Sequence, residues 1–399
     1  MSSSKITSPD QGKNIPLLSF FTGAGFMDIG FLQQGFQIIW HNECHLAFVD
    51  AFKSGLSSLG YNGRSCKIQN TNSIVDIGPN EITKEAFNGS QPPSMFGMIG
   101  GPPCPDFSVG GKNRGHQGDH GHLSEVYVNR IIELNPAFFV FENVPGLLRT
   151  AKHREFLVSL LDKLAVNYAL DLRILNALDF GVPQDRERVF IIGFRKKWLK
   201  NNFSAPKYKR IIKQSSYVTS LGRLHPKRFF SDIQHWFPWP ENSEYSGAKR
   251  RFAWPTEPVP KNNHPSKPIC PEALMVGTYI CDDNRFSLPN SAEGFRPKSN
   301  KFHTTLEGDV SRKSFKRLHR YRYSPAAAYG NNEVHLHPVL PRRLTVREAM
   351  MIQSVPDKYV MPEGMSLTNK FKTIGNGVPV KMADAIAIAL VNFIKGDSV

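Results

Sequence analysis

Two kinds of hydrophobic pattern divide this chain. Over residues 15–195, short apolar runs alternate with amphipathic stretches. Residues 17–21, 37–41, 95–99, 137–141 and 189–194 are apolar runs of strand length. Residues 26–34, 123–134 and 154–164 carry the three-to-four-residue spacing of a helix with one buried face. Strands that are apolar throughout belong in a sheet covered on both faces, and their alternation with helices makes that sheet mostly parallel. The predicted fold class is therefore α/β, with a doubly wound, mostly parallel sheet. From about 196 to 340 the periodicity disappears. Prolines crowd this stretch (237–240 reads Phe-Pro-Trp-Pro) and basic residues mix with aromatic ones, which predicts a smaller, irregular lobe. Helical spacing returns at 345–353 and 380–394, and there is no internal repeat.

Composition narrows the class. Hydrophobic residues make up 40% and charged residues 21%, as in an ordinary globular protein. The apolar runs of 15–195 are too short to span a bilayer, so no membrane association is expected. Residues 1–14 are polar, lack the apolar core of a signal peptide, and are expected to form a flexible tail. Five cysteines, at 44, 66, 104, 270 and 281, are an odd number without metal-ligand spacing. That predicts reduced thiols, a cytoplasmic protein and no metal. The expected organisation is a tail at 1–14, a catalytic and cofactor-binding domain at 15–198, and a recognition domain at 199–345. A closing segment, 346–399, would end in a helix that returns to the first domain.

Charge changes the picture by its position. The chain has 50 Lys and Arg against 34 Asp and Glu. Residues 195–343 hold 28 of the basic and 11 of the acidic residues, which leaves 22 basic and 23 acidic elsewhere. All of the excess positive charge lies in the central block, and an asymmetry of that size points to a polyanion, meaning nucleic acid.

Doubly wound sheets place their chemistry at the carboxyl ends of the strands, and three such ends are unusual here. The first reads Phe20-Phe21-Thr22-Gly23-Ala24-Gly25-Phe26, where Gly23 and Gly25 would let a ligand approach the backbone; the spacing is not the G-x-G-x-x-G of dinucleotide sites. The next strand ends at Glu43, an acid placed to accept from both hydroxyls of a ribose. The second is Gly100-Gly101-Pro102-Pro103-Cys104-Pro105. A cysteine after a strand is commonly a small core residue, but glycines and prolines on both sides suit a positioned nucleophile better. The third is Glu142-Asn143-Val144 after the apolar run 138–141. A carboxyl in such surroundings has a raised pKa and can donate a proton near neutral pH.

Taken together, Phe21-Thr22-Gly23-Ala24-Gly25, Gly101-Pro102-Pro103-Cys104, Glu142-Asn143-Val144, Gln184-Asp185-Arg186-Glu187-Arg188, Arg343-Leu344-Thr345-Val346-Arg347-Glu348 and Gly375-Asn376-Gly377-Val378-Pro379 resemble the ordered motifs of the C5-cytosine DNA methyltransferases. The resemblance covers about 15–195 and 340–399 and leaves the centre to the family's variable recognition region. It implies the Rossmann-like fold of S-adenosylmethionine-dependent methyltransferases. It also implies S-adenosylmethionine as cofactor, without a metal, and double-stranded DNA as partner. The bacterial restriction-modification type further implies a functional association with a cognate endonuclease, a monomer on DNA, and a cytoplasmic, nucleoid-associated enzyme.

Residue by residue, the resemblance makes Phe21 the stacking partner of the cofactor's adenine and Gly23 and Gly25 the path of its methionine part. Glu43 would hold the ribose, Asp76 and Ile77 the adenine edge, and Asn376 the amino-acid end, with Pro103 lining the pocket. Cys104 would be the nucleophile, Glu142 the partner of cytosine N3 and N4, and Arg188 the contact to O2 supported by Arg186. Duplex contacts are expected at Ser108, Lys112, Gln184, Arg250, Arg251, Lys313, Lys316, Arg317, Arg320 and Arg322, with Lys holding phosphate and Arg able to read guanine. The glycine-rich stretch 106–122 resembles the family's closing loop. The chain departs from the family pattern at Pro105, His120 and Cys44. Where a Thr-Leu pair often precedes the Arg-x-Leu-Thr motif, it has 325–328 (Pro-Ala-Ala-Ala), with Thr305-Leu306 as a less well-spaced candidate. A tRNA methyltransferase on the same scaffold would carry a Cys-Phe-Thr signature, which is absent after Cys270 and Cys281. A non-catalytic binder would have lost Cys104, Glu142 or the arginines.

Overall fold

The computed structural model describes residues 15–103, 121–222, 226–281, 287–296, 299–312, 314–326, 329 and 334–396. The tail 1–14 lies outside the described residues. So do Cys104, Ser108, Lys112 and the rest of 104–120, and Lys313.

Strands β1 (Pro16–Phe20), β2 (Gln37–Asn42), β3 (Gly97–Gly100) and β4 (Phe138–Asn143) are parallel to one another, as their apolar sequences require. Beyond them come β5 (Tyr168–Asn176), the two-residue β6 (Gln184–Asp185) and β7 (Glu187–Arg195). The sheet has six strands in the order β2-β1-β3-β4-β7-β5, with β7 antiparallel to both its neighbours.

The sheet is buried on two sides. Along β4, Phe139 and Phe141 point into one core with the helices α4 (Gly121–Leu134) and α5 (Ala151–Ala165). Phe138 and Val140 point into the other, with α1 (Phe26–Gln33) and the helix Val380–Lys395. That is the doubly wound arrangement, with the helix Val380–Lys395 packed on the sheet. Two helices absent from the sequence reading, α2 (Leu46–Ser58) and α3 (Pro79–Phe87), follow β2. The strand β5 was hidden too, because Asp171 and Arg173 interrupt its apolar run. Asp171 is nonetheless buried, and its carboxylate accepts from the backbone N–H of Trp236 and Phe237 at 2.9 Å each.

The central block is not one body. Helices α6 (Lys196–Asn202), α7 (Ala205–Ser215) and α8 (Pro226–Asp232) follow β7, and the chain to Trp239 stays against the sheet. Ile211, Trp236, Phe237 and Trp239 join one core of the sheet, and Val218, Leu221 and Phe229 the other. The expected recognition region 199–345 therefore begins with some forty residues packed on the large domain. Among the described residues, the stretch from about 248 to 345 has only short helices, two-residue strands and two small apolar clusters of its own. It joins the large domain where β6 pairs with Ser324–Pro325, and where Val276, Ile280, Leu318 and Leu344 pack with Phe26, Phe52 and Tyr359.

Candidate active site at the carboxyl edge of the sheet

β1 to β4 are parallel, so Phe20, Asn42, Gly100 and Asn143 end at one edge. β7 runs the other way, so its beginning reaches the same edge; Asn143 pairs with Val189 and Glu142 with Phe190. One antiparallel strand thus carries Arg188 to Glu142 across forty-odd residues of sequence. The Arg188 Nε donates to Glu142 Oε1 at 2.9 Å, and both side chains are nearly buried. Burial pushes the Glu142 carboxyl above the usual carboxylate range, while the charges of Arg188 and Arg186 pull it down. A Cβ on Gly101 would lie 2.6 Å from Glu142 Oε2, so glycine leaves this oxygen room beside the turn that leads to Cys104. The Asn143 amide ties the same turn down by donating to the Pro102 carbonyl at 3.4 Å.

Arg186 is buried, and its Nη2 donates to the carbonyls of Gly375 at 2.6 Å and Gly377 at 3.0 Å. It clamps the Gly375-Asn376-Gly377 segment to the strand carrying Arg188. Gln184 is fully buried, and its amide donates to the Ile352 carbonyl at 3.5 Å. Gln184, expected from the sequence to contact the duplex, thus lies in the interior of this structure.

The β1 end forms the other half of the edge. Phe21 has φ 54°, Gly23 58° and Gly25 78°, so the chain turns through left-handed conformations that only glycine adopts readily. The two glycines differ in what they make room for. A Cβ on Gly25 would meet Phe52 at 2.7 Å and Leu56 at 2.9 Å, which is packing against α2. A Cβ on Gly23 would meet nothing nearer than Thr373 Oγ1 at 3.8 Å, which leaves its face open. The Phe21 ring packs edge-on against Tyr127, 5.9 Å between centroids. Glu43 accepts the N–H of Gly23 at 2.9 Å on one oxygen and that of His45 at 2.8 Å on the other. Each oxygen keeps a second lone pair, so Glu43 can fix the turn and still accept from two hydroxyls. Burial raises its pKa against those N–H bonds.

Asp76 is exposed beside this half, whereas the Ile77 side chain is fully buried in the core; Ile77 can reach a ligand only through its backbone. Pro103 and Asn376 are exposed, with Asn376 closing the helix Leu367–Asn376 one turn after Thr373. Three supports went unread in the sequence: Tyr127, Thr373 and Tyr359. The Tyr359 hydroxyl bridges the carbonyls of Ala24 at 2.8 Å and Ala51 at 2.9 Å, a contact across more than three hundred residues with no local signature. Among the described residues, no group of three His, Cys, Asp or Glu side chains could hold a metal ion.

The basic residues of the lobe divide sharply. Arg317 is buried, its guanidinium donating to the carbonyls of Phe302, Thr305 (2.8 Å), His337 (2.6 Å) and Leu340 (2.9 Å). In this structure it holds loops together, in contrast to the guanine-reading role the sequence leaves open to it. Arg320 grips Glu307 with Nε and Nη2, the latter at 2.7 Å. Arg322 donates to the Pro255 carbonyl at 2.8 Å and lies over the Tyr323 ring. Arg251 lies over Phe252 and donates to the carbonyls of Ser243 and Ser246. Arg250 is exposed and Lys316 half-buried.

Comparison with known proteins matches this arrangement to one family. Residues 15–392 fit the profile of the C-5 cytosine-specific DNA methylases. The chain is 40% identical over 395 residues to the Type II methyltransferase M.NmeDI of Neisseria meningitidis serogroup C, covering 96% of this chain and 85% of that protein. It is 28% identical to the Type II methyltransferase M.MthTI of Methanothermobacter thermautotrophicus, over 94% and 96% of the two chains. The solved structure of S. pombe Dnmt2 methyltransferase superposes with a TM-score of 0.55 at 12% identity, over 96% of this chain and 99% of the other, a likeness of fold.

Proposed function

This chain belongs to the C-5 cytosine-specific DNA methylases and is an S-adenosylmethionine-dependent DNA (cytosine-5)-methyltransferase, and we propose that it works through a covalent adduct of Cys104 with a flipped-out cytosine. The observation that carries this reading is the buried Glu142–Arg188 pair at the carboxyl edge, beside the turn that leads to Cys104. The residues at the β1 end fit the cofactor: an open face at Gly23, a carboxylate at Glu43 with lone pairs to spare, and the half-buried aromatic ring of Phe21. When bound there, the cofactor supplies an electrophilic methyl group.

The chain's own residues do the rest. Cytosine C5 is a poor nucleophile until the ring is activated. The Cys104 thiolate adds to C6, the C5–C6 double bond opens, and Glu142 gives a proton or hydrogen bond at N3 as charge develops there. Arg188 donates to O2, and Arg186 holds its strand in place. After methyl transfer to C5, loss of the C5 proton and expulsion of the Cys104 thiolate restore the aromatic ring. Flipping the base costs roughly a few kcal/mol, which contacts to the duplex offset.

The domain at 15–198 would hold these groups, and the lobe preceding 345 would read the sequence from Arg250, Lys316 and the residues around them. Relatives named as Type II methyltransferases support a role as the protective partner of an endonuclease; that the enzyme acts as a monomer on cytoplasmic DNA is part of the same proposal. Duplex DNA carrying 5-fluorocytosine at the target tests the chemistry, because fluorine blocks the elimination. The wild-type protein should be trapped covalently and Cys104→Ser should not; trapping that persists in Cys104→Ser would overturn the assignment.

A further inference from the structure

The central basic block splits unevenly once its packing is known. Residues 195–231 contain eleven Lys and Arg and not one Asp or Glu; the remainder to 343 contains seventeen basic and eleven acidic residues. Most of the excess charge therefore belongs to the segment 195–231, which carries α6, α7 and most of α8, and not to the irregular lobe. Some of it serves the fold. Arg195 donates to the carbonyls of Asn135 and Ser94, Lys196 to that of Ala165, and Lys207 lies 4.2 Å from the Phe203 ring centre.

The rest faces outward. α7 buries Ile211 and Ser215 on the sheet, where the Ser215 hydroxyl accepts the Leu170 N–H at 2.6 Å. That seating leaves Lys209, Arg210 and Lys213 exposed on the opposite face, at the i, i+1 and i+4 positions of one helical side. Lys197 and Lys200, three apart on α6, are exposed as well. Among the described residues none of these five forms an ion pair with a carboxylate. They also lie away from the chemistry. β7 ends at Arg195, next to Phe194 paired with Phe138, the first residue of β4. Glu142 lies at the other end of that strand, so α6 leaves from the opposite edge of the sheet.

We propose that the outer face of α6 and α7 is a second DNA-binding surface, which grips the phosphate backbone of a duplex segment other than the one in the active site. A row of Lys and Arg without ion-pair partners among the described residues, in a segment free of Asp and Glu, complements a polyanion, and compact lysine charges suit sequence-independent backbone contact. Such a surface would hold the enzyme on long DNA between target sites. The inference rests on the enzyme acting on duplex DNA, but its readout is separate.

The test compares wild type with Lys209→Ala/Arg210→Ala/Lys213→Ala in the full chain. Binding to long duplex lacking a target site is measured over a salt series, and methylation is measured on a duplex trimmed to the site and its immediate flanks. The slope of log affinity against log salt should fall by about 0.9 per contact removed, up to nearly 3 units. Methylation of the trimmed duplex should keep its kcat and KM. The charge-preserving Lys209→Arg/Lys213→Arg should behave as wild type. An unchanged slope on long DNA overturns the proposal, as does a slope that changes for tRNA alone. If wild type fails to methylate the trimmed duplex, the functional reading fails, while the slope still reports on the surface.

Discussion

The catalytic edge and the irregular lobe both bury arginines, but to opposite ends. At the edge, Arg188 meets a single carboxylate, Glu142, and Arg186 reaches two carbonyls of the C-terminal segment. The strands already fix the backbone there, so the side chains only set each other's orientation and protonation. In the lobe, Arg317 serves four carbonyls and Arg320 is locked to Glu307. The lobe's own apolar clusters are small, and a guanidinium with five donors can satisfy loop carbonyls that no strand or helix takes up. A buried arginine thus faces a carboxylate or a distant backbone segment at the edge and loop carbonyls in the lobe.

That contrast can be broken by substitution. The largest effect is expected from Cys104→Ser, which should abolish turnover while leaving DNA binding intact, since a hydroxyl is a far weaker nucleophile than a thiolate; single-turnover methylation and a binding titration read the two halves. Glu142→Gln should slow methyl transfer by roughly two to four orders of magnitude with little change in cofactor binding, and a near-wild-type rate would reduce Glu142 to a structural residue. Arg317→Ala should act in reverse. It leaves carbonyls without donors inside the lobe and should cost on the order of 3 kcal/mol of stability. Thermal denaturation measures this, and an unchanged melting point with relaxed sequence preference would return Arg317 to base reading. A double-mutant cycle of Arg320→Ala and Glu307→Ala should give a coupling of about 1 kcal/mol in denaturant unfolding, modest because the arginine is partly solvated. Smallest of all, Arg250→Ala should leave folding unchanged and lower the salt slope of DNA binding by about one unit.

Much of this protein was legible without coordinates, for a definable reason. Apolar runs of strand length, a Gly-x-Gly turn and a cysteine caged by glycine and proline are local patterns. Local sterics and burial decide their meaning wherever the chain goes, so the fold class and the strand ends that gather at the carboxyl edge could be read directly. What the sequence could not decide are relations between distant segments. The reversal of β7 that brings Arg188 to Glu142 is one, and Arg186 reaching across to Gly375 and Gly377 is another. Tyr359 tying Ala24 to Ala51 is a third. The burial of Gln184 and Arg317 and the outward turn of Lys209, Arg210 and Lys213 belong here too. A charge tally sums residues without knowing which side of a helix faces water. Only packing decides whether a basic side chain meets a carbonyl, a carboxylate or open solvent, because burying a charge is tolerated only where partners from elsewhere in the chain are already in place.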